Sequence, residues 1–108
     1  MRKIIFVCHG NICRSPAAEY IAKKIAKDLN RENDFSFISK AVSTEEIGND
    51  IYPPMKKELL IKNIDISFHQ ASKITYQDYL WADEIYYMDE SNKRYLSFMF
   101  EDNEHKIH

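Results

Sequence analysis

Cys8 and Arg14 have the types and the spacing of a nucleophile and an anion clamp. The segment His9-Gly10-Asn11-Ile12-Cys13 joins them, and Ser15 follows. An apolar run precedes Cys8 and a helical pattern follows Arg14, so residues 8–15, here called the Cys8 loop, are expected between a strand and a helix. The N–H groups of such a loop and the positive end of the helix dipole attract an anion. We therefore predict a phosphate site formed by His9, Gly10, Asn11, Ile12, Cys13 and Arg14.

A thiolate at Cys8 is the nucleophile that such a site would serve. The field that attracts an anion also favours the thiolate over the thiol. Arg14 presents a planar fork of donors that matches two phosphoryl oxygens, and Ser15 can donate a hydroxyl hydrogen bond to the sulfur. These residue types predict covalent phosphate-ester chemistry with Cys8, Arg14 and Ser15 as catalytic residues.

Two side chains of the Cys8 loop each have two interpretations. Cys13 either packs beneath the loop as a small apolar residue, or forms a reversible disulfide with Cys8 that protects the nucleophile from oxidation. The imidazole of His9 either tunes anion affinity or faces solvent. The sequence leaves both questions open.

The segment from Val7 to Pro16, VCHGNICRSP, resembles the signature of the low-molecular-weight protein tyrosine phosphatases. Residues 63–71, NIDISFHQA, are similar to the segment of that family around a histidine that braces the loop, and residues 88–92, MDESN, are similar to a third element. The resemblance implies a phosphatase that acts on phosphotyrosine proteins or small phosphate esters through a cysteinyl-phosphate, without a cofactor or a metal.

The resemblance also implies a role for each of five residues. Cys8 would be the nucleophile, Arg14 the phosphate clamp and Ser15 the partner of the thiolate. Asn11 and His69 would form a buried, hydrogen-bonded pair that fixes the loop. The chemistry of the residue types agrees with these roles.

The general acid of the family lies in a part that this sequence does not match. Family members continue through a last strand, an Asp-Pro loop with the acid and a closing helix, and no Asp-Pro pair occurs in these 108 residues. Acid catalysis is typically worth about 100 to 10,000-fold in rate, so we expect impaired turnover from these residues alone. They are either a fragment of a longer product or a short form with a reduced or altered role. A sheet without its last strand and helix would leave a face uncovered, which favours a homodimer.

Two other functions fit the residues. The chain could be a module that binds phosphate or a phosphopeptide without turnover, for want of an acid. An arsenate reductase would share the fold but needs further cysteines to relay electrons, and only Cys13 accompanies Cys8.

Asp89 is either a substitute acid or a structural residue of its segment, and we favour the structural role. Lys40 departs from the family pattern and could alter the wall of the pocket.

Length and composition predict one domain over residues 1–108, since no Pro-, Gly- or Ser-rich linker divides the chain. Charges of both signs are mixed and the net charge is −2, which predicts no nucleic-acid surface. No apolar run approaches the roughly 20 residues that span a bilayer, and the N-terminus lacks a signal-peptide pattern. We therefore expect no membrane association and a cytoplasmic location, where a thiolate stays reduced.

Alternating strand and helix patterns predict an α/β fold with a three-layer, doubly wound parallel sheet. The family resemblance implies that this fold is like that of phosphotyrosine protein phosphatase I, without its last strand and helix. Helices should cover both faces, and Ser91 should cap the last helix. The residues expected to face inward are Ala18, Ile21, Ala22, Ile25, Ala26 and Leu29 in the first helix and Met55, Leu59 and Leu60 in the second. Ligands bind such sheets at the carboxyl ends of the strands. The predicted elements are strands at 3–7, 35–38 and 84–88, helices at 16–29, from residue 53, at 75–81 and from residue 91, and a polar loop at 39–52.

Overall fold

The sheet has three parallel strands in the order β2-β1-β3, in a computed structural model that describes residues 1–108. The elements are β1 (Arg2–Cys8), α1 (Arg14–Asp28), β2 (Phe35–Ala41), α2 (Pro53–Ile61), α3 (Tyr76–Trp81), β3 (Glu84–Tyr87) and α4 (Glu90–Met99). The strand order places β1 in the centre, so the direction of winding changes there. The predicted α/β class and parallel sheet are confirmed.

One face of the sheet carries the main hydrophobic core. Ile5 and Val7 of β1 and Ile85 of β3 are fully buried there, and they pack with Tyr79 of α3 and Leu96 of α4. Successive side chains of a strand point to opposite faces, which explains why alternate residues of β1 enter this core. Helices α3 and α4 therefore form one outer layer of the fold.

The opposite face of the sheet packs against α1. Phe6 stacks on Phe37 with ring centroids 6.1 Å apart, and Phe37 stacks on Phe35 at 5.4 Å. These rings stay partly exposed beside α1. The homodimer expected from an uncovered sheet face stays a prediction.

The register of the strands brings their carboxyl ends to one edge. Cys8 pairs with Ala41 of β2, and Val7 pairs with Tyr87 of β3. β2 runs to Ala41 and does not end at Ile38 as predicted, because its last residues complete the ladder with β1. The polar loop accordingly begins at residue 42, and the strand ends frame the start of the Cys8 loop.

The buried face of α1 differs from the predicted one. Ala26 is buried as predicted, whereas Ile25 is 54% exposed and both Ile21 and Leu29 are exposed. Ala17 and Tyr20 complete the buried face. Small residues let the helix approach the sheet closely, which turns the larger aliphatic residues outward. In α2 the prediction is confirmed for Leu59, which is buried, and is wrong for Leu60, which is exposed.

Two capping boxes begin α3 and α4. The Thr75 hydroxyl accepts from the amide of Asp78, and the Asp78 carboxylate accepts from the amide of Thr75. Asp89 and Asn92 make the same reciprocal pair in α4. The N-cap of α4 is therefore Asp89 and not Ser91, because the carboxylate directly after β3 reaches the third amide of the helix.

The last residues lie alongside β3. Ile85 donates its amide to the carbonyl of Lys106, and His108 donates to the carbonyl of Ile85. The Asp102 carboxylate fixes the preceding turn, since it accepts from the amides of Lys106 and Ile107 and from the Tyr79 hydroxyl. This turn joins the chain after α4 to the edge of the sheet.

None of the helices combines the length and the apolar character needed to cross a membrane.

Candidate active site

The carbonyl groups of the Cys8 loop are tied to the surrounding structure. Five carbonyl oxygens accept hydrogen bonds from outside the loop: Cys8 O from Val42 N (3.0 Å), His9 O from Ser43 N (3.1 Å), Asn11 O from His69 Nε2 (2.7 Å), Ile12 O from Tyr52 N (2.6 Å) and Cys13 O from Ala17 N (3.1 Å). In a trans peptide the N–H points opposite to the C=O. The amides of residues 9, 10, 12, 13 and 14 therefore point away from these partners, toward the concave side of the loop.

The start of α1 adds to this arrangement of donors. The helix begins at Arg14, and its N-cap residue, Cys13, makes no side-chain capping hydrogen bond. No acidic side chain lies in the first turn. The partial positive charge of the helix N-terminus is thus not neutralised by the helix itself.

The Cys8 sulfur lies buried at the base of the loop, with 4% of the residue exposed. Its Sγ is 3.0 Å from Ser15 Oγ and accepts from the amide of Asn11 at 3.3 Å. Two polar groups therefore contact the sulfur from the loop and from the first turn of α1.

A chain of hydrogen bonds behind the loop decides how Ser15 is oriented. The Asn11 side-chain amide donates one hydrogen to Ser15 Oγ and the other to Ser39 Oγ, both at 2.9 Å. Ser39 in turn donates to Glu19 Oε1 at 2.6 Å. Because Ser15 Oγ accepts from Asn11, its own hydrogen is available to the Cys8 sulfur, where it would stabilise a thiolate.

Asn11 is the residue around which the loop turns. It is completely buried and has a φ of 60°, in the left-handed region that asparagine tolerates better than most residues. Its Oδ1 accepts from the amide of Ser72 at 3.2 Å, and its carbonyl accepts from His69. His69 is itself buried, and a carbonyl partner requires that Nε2 carries the hydrogen.

Arg14 forms an ion pair across the mouth of the loop. Its Nη2 lies 2.8 Å from Oδ2 of Asp89, and both side chains are partly exposed. The hydrogen bond from Arg14 lowers the pKa of Asp89, and the amide of Asn92 lowers it further. The same hydrogen bond raises the pKa of Arg14. Asp89 lies beside the Cys8 loop, but a carboxylate held in its ionised form by Arg14 is a poor substitute acid.

The remaining candidates have simpler surroundings. Cys8 and Cys13 are both free, and Cys13 is partly buried. Lys40 does not line the loop, because its Nζ donates to Ser72 Oγ at 3.0 Å and lies 4.0 Å from Asp78. The structure contains no group of three or more His, Cys, Asp or Glu side chains that could hold a metal ion.

Comparison with known proteins identifies the family. The model of the family described as low molecular weight phosphotyrosine protein phosphatase matches residues 3–108. The chain belongs to this family.

Relatives and solved structures agree with this assignment. The chain is 41% identical over 97 residues to the low molecular weight phosphotyrosine protein phosphatase of Gallus gallus, an alignment that covers 89% of this chain and 60% of that protein. The crystal structure of YfkJ from Bacillus subtilis matches with a TM-score of 0.95 and 31% identity, over 99% of this chain and 68% of that one. SP-PTP, the low molecular weight protein tyrosine phosphatase from Streptococcus pyogenes, matches with a TM-score of 0.91 and 34% identity, over 99% and 70%. The chain thus spans about 60% of the length of the curated relatives it matches.

Sequence reasoning missed the residues that support the phosphatase loop from behind. Glu19 and Ser39 lie on different elements, and Ser72 lies in a loop without a recognisable pattern. The one available signal was Glu19, a glutamate in the middle of an otherwise apolar helix face. A buried carboxylate needs a hydrogen-bond partner, so its position indicates that polar residues lie nearby.

Proposed function

We propose that this chain is a cysteine-dependent phosphatase that hydrolyses phosphotyrosine or aryl phosphate monoesters. The observation that carries the proposal is the outward hydrogen bonding of the five loop carbonyls, which turns the opposing amides toward the space beside Cys8 and Arg14. Converging N–H groups, a thiolate and a guanidinium at one helix N-terminus fit a phosphoryl group. Family membership supports the same chemistry.

In the proposed reaction, the Cys8 thiolate attacks phosphorus and forms a cysteinyl-phosphate. The amides of residues 9, 10, 12, 13 and 14 and the guanidinium of Arg14 bind the phosphoryl oxygens as charge moves onto them. Ser15 stabilises the thiolate when it attacks and again when it leaves. Water then cleaves the S–P bond and releases phosphate.

The supporting residues act by holding this geometry. Asn11 and His69 fix the loop in its left-handed turn, so that little ordering remains when an anion binds. Arg14 must exchange its contact with Asp89 for contacts with the phosphoryl group. Phosphotyrosine proteins and small phosphate esters remain the proposed partners, and the cytoplasm remains the predicted location.

Hydrolysis of p-nitrophenyl phosphate and of a phosphotyrosine peptide tests the proposal. We expect the wild-type chain to hydrolyse the nitrophenyl ester, and Cys8→Ser to be inactive while it still binds inorganic phosphate. Cys13→Ser is the matched control and should keep its activity. Turnover by Cys8→Ser would refute the assignment of the nucleophile. A folded wild-type chain that binds phosphate but hydrolyses neither ester would be a binding module.

A further inference from the structure

The first turns of α4 form one side of the mouth of the Cys8 loop. Asp89, the N-cap of α4, pairs with Arg14 at 2.8 Å. Further along the helix, the ring of Tyr95 meets the imidazole of His9 edge-on, with centroids 5.8 Å apart and an interplanar angle of 61°. Nε2 of His9 lies 3.1 Å from Oε2 of Glu45, so the imidazole contacts both α4 and the loop after β2. The exposed side of α4 therefore continues directly from the phosphate site.

Three side chains of α4 form a surface next to this mouth, here called the α4 face. Arg94, Tyr95 and Phe98 lie within one turn of the helix and line a depression of about 300 Å³. Phe98 is 85% exposed and Tyr95 is 44% exposed. Single exposed apolar residues are common, but aromatic rings together with an arginine are the side chains enriched where proteins bind other chains. The α4 face thus has the composition of a binding surface.

Arg94 gives the α4 face its charge. None of the ion pairs of the structure involves Arg94, although Glu90 lies one turn before it. Arg14, in contrast, pairs with Asp89 at the mouth itself. The guanidinium of Arg94 is therefore available to a carboxylate that arrives on this side of the site.

A peptide bound through its phosphotyrosine would reach the α4 face. A phosphoryl group in the Cys8 loop leaves the peptide backbone outside the mouth, which Tyr95 borders through its contact with His9. Phe98 lies about 4.5 Å further along the helix axis, and an extended peptide advances about 3.3 Å per residue. The side chains one or two residues from the phosphotyrosine would therefore lie over Arg94 and Phe98.

We propose that the α4 face is a subsite for the residues that flank the phosphotyrosine of a protein substrate, and that it prefers an apolar and an acidic side chain there. The inference rests on the proposed phosphatase function and names its class of substrate. The rings of Tyr95 and Phe98 pack against the apolar side chain, and the guanidinium of Arg94 pairs with the carboxylate. A small ester such as p-nitrophenyl phosphate has no flanking residues and does not use this face.

The test measures the binding of labelled phosphotyrosine peptides to Cys8→Ser by fluorescence polarisation. The reference peptide carries a leucine and a glutamate on each side of the phosphotyrosine, and a second peptide has glutamine in place of both glutamates. We expect the reference peptide to bind about 1.4- to fivefold more tightly, which is the range for an exposed ion pair. Adding Arg94→Gln should abolish this preference. Lys93→Gln, which removes an exposed cation outside the depression, is the matched control and should keep it.

Phe98 has a separate readout. A third peptide has alanine in place of both leucines, and it should bind Cys8→Ser about three- to tenfold more weakly than the reference, as expected for partial burial of a leucine side chain. With Phe98→Ala added, the two peptides should bind equally. Ile61→Ala removes an exposed apolar side chain of α2 and should keep the preference. Arg94 and Phe98 are both exposed, so neither change removes buried packing.

The possible outcomes separate this inference from the proposed function. A Cys8→Ser chain that binds the three peptides alike, or binds none of them, would overturn the subsite, whereas hydrolysis of p-nitrophenyl phosphate by the wild-type chain would still support the phosphatase. Equal effects of Arg94→Gln and Lys93→Gln would show a general effect of charge and would also overturn the subsite. If Phe98→Ala changes the sedimentation of the chain but not its choice of peptide, the α4 face is a contact between two copies and the inference is wrong. A folded wild-type chain that does not hydrolyse the nitrophenyl ester would overturn the phosphatase function, and peptide binding would still decide the subsite because it needs no turnover.

Discussion

Asn11 and Ser15 are joined by a hydrogen bond of 2.9 Å in which the asparagine amide is the donor. The direction of this bond matters, because the serine oxygen is then an acceptor and its hydrogen is free. The other hydrogen-bond partner of the serine oxygen is the Cys8 sulfur, 3.0 Å away. A buried asparagine thus determines which group receives the Ser15 hydrogen.

Ser15→Ala should make Cys8 less reactive. A hydrogen bond to a charged group is worth about 1.5–3 kcal/mol, so loss of the serine donor should slow alkylation of Cys8 by iodoacetamide at pH 7 by about tenfold or more. Mass spectrometry of the alkylated peptide measures the rate. Ser91→Ala, at an exposed position of α4, is the control. An unchanged rate in Ser15→Ala would mean that the serine hydrogen does not reach the sulfur.

Ser39→Ala should destabilise the fold although Ser39 lies outside the loop. The change leaves one hydrogen of Asn11 and one oxygen of the buried Glu19 without their present partner. A buried polar group without a hydrogen bond costs about 1–3 kcal/mol, which should appear as a lower free energy of unfolding in urea. Ser97→Ala removes an exposed serine and should cost much less. Equal effects of the two changes would contradict the importance of this chain of hydrogen bonds.

Asp89→Asn should strengthen phosphate binding. In the present structure the carboxylate occupies Arg14, and it places a negative charge beside the site of an anion. Exposed ion pairs are worth about 0.2–1 kcal/mol, so we expect inorganic phosphate to bind roughly 1.4- to fivefold more tightly. Asparagine still caps α4, which keeps the helix intact. Calorimetric titration measures the affinity for phosphate. Asp28→Asn, at the far end of α1, is the control. Weaker binding of phosphate to Asp89→Asn would show that the carboxylate mainly orients Arg14.

Stability should decline at alkaline pH because of Tyr79. Burial, and then the hydrogen bond to Asp102, raise the pKa of Tyr79 to about 12, against an ordinary value of about 10. The folded state therefore favours the neutral phenol, and this contribution is complete below about pH 10 and is lost as pH rises through about 12. Tyr79→Phe should show a flatter decline of the urea midpoint across this window, and Tyr76→Phe, at an exposed ring, should decline like the wild type. Parallel curves for all three proteins would exclude Tyr79 as the source.

The sequence predicted the positions of the strands and helices better than it predicted which of their faces are buried. Strands and helices follow from hydrophobic runs, from Pro16 and Pro53 near the helix starts, and from the strand-to-helix position of the Cys8 loop. The sequence did not predict which face of α1 is buried. The small residues that pack on the sheet are less hydrophobic than Ile25, which lies on the exposed face. The chain of hydrogen bonds behind the Cys8 loop could not be predicted from the sequence for a different reason. Glu19 and Ser39 meet only after β2 pairs with β1, and the sequence does not show which polar residues become neighbours across elements.

The central position of β1 has a consequence for the dynamics of the domain. Edge strands and helix ends open and close locally at a small cost, whereas a strand bonded on both sides exchanges its amide protons only in large opening events. Since β1 lies between β2 and β3, its amides should be among the slowest to exchange with deuterium. Cys8 is the last residue of that strand, so the sulfur is anchored to the part of the sheet that is expected to exchange most slowly.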